Sequence, residues 1–167
     1  TLFPYTTLFR SGWYGSPFTL GVNLTAKWKN FTFFALGTGN FGAYGLKNNS
    51  YWWVKGDGKY SAVVRNRWTE ATKETATYPR LTTLSGSNNY QTSDFWMYST
   101  DAFRLAKVQI TYDLPSTLFQ KTWVKGLSAF VSGANLLTIS KNRELLEMNI
   151  GSAPQTRYYN IGVKATF

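Results

Sequence analysis

Hydrophobic and polar residues alternate along five segments of the chain, which predicts β-strands that each have one apolar and one polar face. The clearest are Phe18 to Trp28 and the terminal segment YYNIGVKATF, Tyr158 to Phe167. The other three segments span residues 32–44, 107–114 and 127–139. Tilted strands of about 9–11 residues with this alternation are typical of transmembrane β-barrels, which have lipid outside and water inside.

The connections between these segments are short and long in turn. Lys29-Asn30-Phe31 and the stretch from Pro115 to Gly126 are short turn signals, whereas the segments 45–100 and 142–156 are longer and have no sustained period. Short and long connections therefore fall at opposite ends of the predicted sheet. If the last strand ends in the periplasm, the long connections are extracellular, and the sequence predicts one long extracellular loop from Gly45 to Thr100.

The composition supports an all-β membrane protein over a helical one. Aromatic residues make up 18% of the chain, while the mean hydropathy is only −0.28. No apolar run approaches the roughly 20 residues that a spanning helix needs. Because the smallest spanning barrels have about eight strands, five predicted strands indicate the C-terminal part of a larger antiparallel barrel.

The formal net charge of +10 is scattered along the chain and forms no basic block. Lys27, Lys107 and Lys164 occupy polar positions of alternating strands, so we expect them to face the barrel lumen or its rim. A soluble basic β-domain that binds single-stranded nucleic acid would need its rings beside these charges. The rings instead share parity with Val, Leu and Ile, and no nucleic-acid partner is predicted.

The sequence contains no cysteine and no histidine, so it predicts no disulfide, metal site or cofactor, and no enzymatic activity. Glu144 and Glu147 are three residues apart, but no second catalytic group accompanies them, and we interpret them as part of a solvated loop turn. The segment 37–42 formally matches GxGxxG but lacks a strand-turn-helix context.

The first eleven residues, TLFPYTTLFRS, show no alternation and resemble a translated sequencing adapter. We expect residues 1–11 to be a non-native leader and residues 12–167 to be the C-terminal part of a barrel. The signal peptide of such an exported protein would lie upstream.

Short motifs across residues 12–167 resemble the C-terminal region of the SusC/RagA family of TonB-linked outer-membrane transporters. The resemblance rests on their order and spacing. The matching segments are Asn66-Arg67-Trp68-Thr69, Tyr78-Pro79-Arg80-Leu81, Asn88-Asn89-Tyr90, Ser93-Asp94-Phe95-Trp96, Phe103-Arg104-Leu105, Val131-Ser132-Gly133-Ala134-Asn135-Leu136-Leu137-Thr138 and Pro154-Gln155-Thr156-Arg157.

The resemblance implies a barrel of about 22 strands with a plugged lumen, of which this chain supplies about the last five. It implies a protein of the Gram-negative outer membrane, surrounded by lipid, that imports glycan or peptide fragments. It also implies a SusD-like surface lipoprotein as partner and contact with the TonB complex through an N-terminal part. Another outer-membrane barrel, such as a porin, is the first alternative, and a soluble carbohydrate-binding β-domain is a more distant one.

The terminal strand carries a second resemblance. Asn160, Gly162, Ala165 and Phe167 are similar to the polar, glycine, apolar and aromatic positions of the signal that the barrel-assembly machinery reads, although Ala165 is smaller than usual. The alternative is that Phe167 only anchors the strand in the interfacial aromatic girdle.

Aromatic residues of the long loop are the candidates for ligand or partner contact. Trp68, Tyr90, Phe95 and Trp96 have rings that can stack on sugars or seat a protein partner. The alternative is that these rings pack the loop against itself.

Overall fold

The computed structural model describes residues 15–56, 58–83, 88–120 and 123–167, so the predicted leader at residues 1–11 lies outside the described part. The strands and the α-helix are β1 Phe18–Trp28, β2 Phe31–Phe41, β3 Tyr44–Leu46, β4 Met97–Ser99, β5 Ala102–Asp113, β6 Gly126–Ile139, α1 Arg143–Met148 and β7 Tyr158–Thr166. A five-stranded antiparallel sheet with the order β1-β2-β5-β6-β7 dominates the fold, and a separate two-stranded ribbon pairs β3 with β4.

The all-β, antiparallel prediction is confirmed, and each of the five alternating segments forms one strand of the large sheet. β1 has the predicted bounds, whereas β5 begins at Ala102, five residues before the predicted start at Lys107. The prediction of an irregular loop at 142–156 was wrong in one respect, because this segment contains the short helix α1.

Strand registers place the apolar positions of all five strands on one surface, which we call the apolar face. One complete row across the sheet contains only apolar side chains. The row is Ala26, Phe33, Ile110, Val131 and Ile161. Because side chains alternate between the two surfaces of a strand, one such row fixes the facing of every neighbouring residue.

The opposite surface, which we call the polar face, is built from the alternate positions. A row next to the apolar one is formed by Thr25, Phe34, Gln109, Ser132 and Asn160. The register therefore settles the facing of the adjacent pair that the sequence left ambiguous. Phe33 lies on the apolar face, and Phe34 lies on the polar face.

Large apolar side chains on the apolar face are open to the surroundings, and the exposed fraction is 84% for Ile161, 56% for Val131 and 49% for Ile110. Others exposed on the same face are Phe18, Leu20, Leu24, Trp28, Phe31, Phe33, Tyr112, Leu137, Ile139, Tyr159 and Val163. A sheet in water would bury such a face against a second layer. Here the described residues supply no second layer, and the buried hydrophobic cluster lies in the long loop.

The end of the sheet with the short connections, which we call the turn end, is closed by a two-residue turn. Trp28 pairs with Phe31, and Lys29 takes the left-handed conformation with φ 51°. The Asn30 side chain donates to the Asp113 carbonyl (2.8 Å), and the Asp113 N–H donates to the Asn30 carbonyl (2.8 Å), which ties the turn to β5.

We call the other end of the sheet, which carries the long loops, the loop end. Towards that end, the pairing of β5 with both of its neighbours shifts in register. Ala106 of β5 is an extra residue between the pairs Leu36–Lys107 and Gly37–Leu105. On β6, two residues lie opposite it, and one of them, Asn135, has φ 55°. Bulges of this kind increase the local twist and re-aim side chains, and this one lies next to the polar site described below.

Gly162 leaves room for the Phe130 ring, which covers it on the polar face. A Cβ at Gly162 would lie 2.5 Å from Phe130 Cζ, whereas a Cβ at Gly126 of the neighbouring strand would meet no atom within 4 Å. We therefore expect Gly162→Ala to lower the free energy of unfolding by about 1–3 kcal/mol through overpacking. Gly126→Ala should change it by less than about 0.5 kcal/mol.

Urea titrations of the two purified variants measure this difference. The two variants are matched, since each adds one methyl group to a strand glycine. Equal transition midpoints would contradict the contact between Gly162 and Phe130.

Candidate functional site

The two long connections meet at the loop end of the sheet. β3 and β4 pair at the base of the long loop, where the Gly42 N–H donates to Asp101 Oδ1 (2.6 Å) and the Thr100 N–H donates to the Ala43 carbonyl (2.9 Å). These contacts bring the first and last residues of the loop together, so the segment between them is a closed, compact unit rather than an open excursion.

A hydrophobic cluster organises the long loop, and we call it the loop cluster. Each member has at most 9% of its surface exposed. The members are Val54, Val64, Tyr78, Tyr90 and Trp96. Leu46, Trp52, Trp53, Val63, Leu81 and Phe95 pack around it. The loop thus folds around its own aromatic core.

Tyr78 joins three parts of the loop through its hydroxyl. The Tyr78 hydroxyl donates to the Trp52 carbonyl (2.7 Å), accepts from the Val54 N–H (3.2 Å) and lies 3.3 Å from the Tyr90 hydroxyl. Burial, together with the hydrogen bond to Tyr78, raises the pKa of Tyr90 above its usual range, so the Tyr90 hydroxyl stays protonated. A buried polar network that is satisfied in this way favours one arrangement of the loop.

The four predicted contact residues occupy different places. Tyr90 and Trp96 are inside the loop cluster, with 5% and 3% of their surface exposed. Phe95 packs edge-on against Trp96 at 4.8 Å between ring centroids, and Trp68 is partly exposed beside Tyr78, whose carbonyl accepts from its N–H (2.9 Å). The structure therefore brings Tyr90, Phe95 and Trp96 together, and it leaves Trp68 outside that cluster.

Lysine side chains cover the rim of the loop cluster. Lys47 Nζ lies 5.1 Å from the Trp52 ring centroid and 5.9 Å from that of Tyr98, and Lys55 Nζ lies 5.7 Å from that of Trp53. Partial burial lowers the pKa of Lys47. Cation–π contacts of this type hold the charges over the aromatic surface.

The second long connection, residues 140–157, is fastened to the first by side-chain hydrogen bonds. Asn49 Nδ2 donates to the Ile150 carbonyl (2.6 Å), and Asn142 Nδ2 donates to the Ser99 carbonyl (2.8 Å). The Ser140 hydroxyl donates to the Asp101 carbonyl (2.6 Å). The loops therefore form one surface at the loop end.

A polar site that the sequence did not predict lies beside this surface, around α1. Arg143 Nε lies 3.0 Å from Glu147 Oε1, and Arg157 NH2 lies 3.4 Å from the same oxygen. The Arg143 hydrogen bond is the main cause of a lowered pKa at Glu147, so this carboxylate is ionised at neutral pH. The available signal was the i, i+4 spacing of Arg143 and Glu147, which is helical, but a helix of 6 residues is too short to give a period.

The residues of the predicted assembly signal are distributed over both faces of β7. Asn160 and Gly162 lie on the polar face, opposite Ser132 and Phe130, and Ala165 lies on the apolar face. The Phe167 ring stacks on Trp123, with 4.6 Å between centroids and an interplanar angle of 13°. That stacking partner was not predicted from the sequence.

Two further observations concern the described residues only. No helix among them has the length and apolar character needed to cross a membrane. No group of three or more His, Cys, Asp or Glu side chains in the described ranges could hold a metal ion.

Three solved structures share this arrangement of strands and loops. The chain is similar to the RagAB peptide transporter, with a TM-score of 0.71 and 25% identity, and the match covers 95% of this chain and 18% of that chain. The RagAB peptide importer in the closed-closed state matches with a TM-score of 0.71 and 26% identity, over 95% of this chain and 18% of that chain. The importer in the open-open state matches with a TM-score of 0.65 and 26% identity, over 89% of this chain and 17% of that chain. The chain thus spans less than a fifth of the length of these neighbours. No protein-family model and no curated protein sequence matches it.

Proposed function

We propose that this chain forms part of the wall of an outer-membrane β-barrel transporter that imports oligopeptides. The observation that carries the proposal is the apolar face, where Ile110, Val131 and Ile161 lie side by side with about half or more of their surface exposed. Exposed apolar patches of this extent mark a surface that lipid or protein covers. The strand arrangement shared with the RagAB peptide transporter supports a transporter wall and is our reason for proposing peptides as the cargo.

The height of the apolar face supports lipid as the covering medium. Aromatic side chains pair at both ends of the β1–β2 hairpin, with Phe18 against Phe41 at the loop end and Trp28 against Phe31 at the turn end. β1 has 11 residues, which at about 3.3 Å per residue and a tilt near 40° spans roughly 25 Å. An apolar band of about this height, flanked by aromatic girdles, is typical of barrels in the outer membrane.

A barrel wall also explains the edges of the sheet. β1 and β7 each pair with only one neighbour within the described residues, and unpaired backbone groups cannot remain in lipid. We propose that further strands of a larger protein complete the barrel on both sides. This matches the small share of the RagAB chains that the present chain covers.

The partners follow from the same proposal. The surface that the two long loops form together would face the outside of the cell and bind a SusD-like lipoprotein. The RagAB neighbours and the sequence resemblance support this partner. Contact with the TonB complex would be made by a part of the transporter that precedes this chain. No catalytic role is proposed.

Glycan fragments are a second candidate cargo, because aromatic side chains are abundant in the long loop. Tyr90 and Trp96 are buried in the loop cluster, so among the four predicted contact residues only Trp68 and Phe95 offer accessible ring surface. Peptide cargo is the preferred proposal because the solved neighbours are peptide transporters.

Cysteine labelling tests the proposed topology, since the chain contains no cysteine of its own. Tyr60→Cys in the long loop and Trp123→Cys at the turn end both replace residues that are 76% exposed. In intact cells an impermeant maleimide is expected to label Tyr60→Cys at once and Trp123→Cys only after the outer membrane is permeabilised. Labelling of both positions in intact cells would overturn the membrane arrangement.

Uptake tests the transport function separately. Cells that contain the complete transporter should accumulate fluorescent oligopeptides, and cells lacking it should not. If labelling agrees with the topology but neither peptides nor glycan fragments enter, the chain belongs to a barrel with another role.

Phe167 is proposed as the aromatic residue of the assembly signal, and its stacking on Trp123 gives the matched control. Deleting Phe167 should lower the amount of folded protein in the outer membrane several-fold, because the assembly machinery loses the aromatic residue that it reads. Trp123→Ala removes the same ring contact but leaves the signal, so its level should stay near that of the parent. Equal losses in both variants, measured by heat-modifiable gel mobility, would reduce Phe167 to a girdle residue.

A further inference from the structure

A cavity of about 240 Å³ at the loop end is lined by Asn135, Glu147, Gln155 and Arg157, and we call it the arginine cleft. Its position relative to the sheet follows from Thr138. Thr138 pairs with Arg104 on the polar face and lies near enough to Glu147 to contribute to its lowered pKa. The cleft is therefore on the polar face, which is the lumen side of the proposed barrel.

Two hydrogen bonds to backbone carbonyls hold together the segments that form the cleft. The Gln155 N–H donates to the Glu147 carbonyl (2.8 Å), and Asn135 Nδ2 donates to the Thr156 carbonyl (3.1 Å). Asn135 belongs to the bulge of β6 and has φ 55°. The strained backbone turns this residue to join the strand to the segment that carries Arg157.

Two arginines, Arg157 in the cleft lining and Arg143 at its edge, converge on Glu147, the one carboxylate among the described residues of the cleft. Arg143 and Arg157 share one carboxylate oxygen of Glu147, and their side chains keep 49% and 43% of their surface exposed, against 25% for Glu147. Each guanidinium has five N–H donors in a planar fork. One shared oxygen therefore leaves most donors of the pair open to a ligand.

The surroundings of the cleft add positive charge and one buried hydroxyl. Arg104 lies in register with Thr138, Lys107 lies next along β5 on the same face, and Lys141 and Glu144 line the adjoining cavity. Thr138 Oγ1 is buried and forms no hydrogen bond of regular geometry, although it contributes to the lowered pKa of the nearby Glu147.

We propose that the arginine cleft, with Arg143 at its edge, binds carboxylate groups of the cargo. A guanidinium group binds a carboxylate through two parallel hydrogen bonds. Among the described residues around the cleft, basic side chains also outnumber the two carboxylates, Glu144 and Glu147. The ligand chemistry is a carboxylate, which a peptide offers at its C-terminus or on Asp and Glu side chains. This inference rests on the proposed peptide transport and adds a preference for anionic peptides.

Four pentapeptide probes of otherwise equal sequence test the inference on the complete transporter in proteoliposomes. They carry a free or an amidated C-terminus, each with or without one Asp. Arg157→Gln and Arg143→Gln are expected to weaken binding about tenfold for the probes that carry the recognised carboxylate and to leave the amidated probe without Asp unchanged. If only the two probes with a free C-terminus lose affinity, the terminal carboxylate is read; if only the two Asp probes do, the side-chain carboxylate is read; a loss for all three carboxylate-bearing probes means that either group is bound.

Two controls separate charge recognition from loss of structure. Arg65→Gln removes an exposed arginine of the long loop and should change no probe. Glu147→Gln keeps an oxygen that can accept from Arg143 but removes the competing charge, so binding of carboxylate probes should rise about threefold. A purely structural role for Glu147 predicts the opposite sign.

The outcomes distinguish this inference from the proposed function. If the parent binds all four probes and the arginine variants weaken all of them equally, the carboxylate site is wrong while peptide transport stands. If the parent binds no peptide at all, the proposed function and the inference both fail.

Discussion

Ile161→Arg is expected to lower the free energy of unfolding by about 2–4 kcal/mol in lipid bilayers, the cost of an arginine at the midplane of a barrel wall. Ile161 lies in the central apolar row beside Val131 and has 84% of its surface exposed within the described chain. In a water-soluble protein, a side chain with this exposure would tolerate arginine within about 0.5 kcal/mol. The size of the effect therefore tests whether lipid covers the apolar face.

Asn160→Arg is the matched control, because residue 160 is adjacent in β7 but faces the polar surface opposite Ser132. We expect its effect to be small. Urea-induced unfolding of the complete protein, refolded into vesicles without assembly factors, gives both values. A small effect at both positions would contradict a lipid-facing sheet, and a large effect at both would indicate that β7 is sensitive to any arginine.

The strands could be predicted from the sequence because their signal is local. In β1 the alternation of apolar and polar residues covers all 11 residues, and each residue reports its facing through its neighbours alone. β2 shows the limit of this signal. Phe33 and Phe34 are both large and apolar, and only their partners in β5, Ile110 and Gln109, decide which one faces the apolar side.

The early start of β5 was missed for a related reason. Ala106 is a bulged residue, so the parity of Phe103 and Leu105 is shifted relative to Val108, and a search for strict alternation stops at Lys107. The pairing with β2 carries the strand through this shift. Sequence periodicity does not contain that information.

The candidate sites were the least predictable part, since their contacts join residues far apart in the chain. Tyr78 binds the Trp52 carbonyl across 26 residues, and Asn49 binds the Ile150 carbonyl across 101 residues. The sequence singled out Tyr90 and Trp96 as aromatic residues in a loop, and it left open whether they contact a ligand or pack the loop. Both side chains are buried in the loop cluster. We therefore propose that they affect ligand contact only indirectly, by holding the surface residues of the loop in place.

Trp96→Ala is expected to destabilise the long loop by about 3–5 kcal/mol while leaving the sheet folded. Trp96 contacts four rings, with centroid distances of 4.8 Å to Phe95, 5.8 Å to Tyr78 and 6.1 Å to both Trp53 and Tyr90. Its indole N–H also donates to the Asn89 carbonyl (2.9 Å). Removing the ring leaves a cavity where these side chains meet, whereas the ladder between β2 and β5 does not include Trp96.

Hydrogen exchange followed by mass spectrometry separates the loop from the sheet in the same sample. In Trp96→Ala, amides of the loop such as that of Lys47, which donates to the Trp96 carbonyl, should exchange much faster, and amides of β5 and β6 should stay protected.

Tyr60→Ala removes an aromatic side chain that is 76% exposed and should leave loop exchange unchanged. Trp96→Phe keeps a ring but loses the bond to Asn89, so an intermediate effect is expected. Loss of protection throughout the sheet in Trp96→Ala would show that loop and wall fold as one unit, and partner binding would then depend on the barrel strands as much as on the loop cluster.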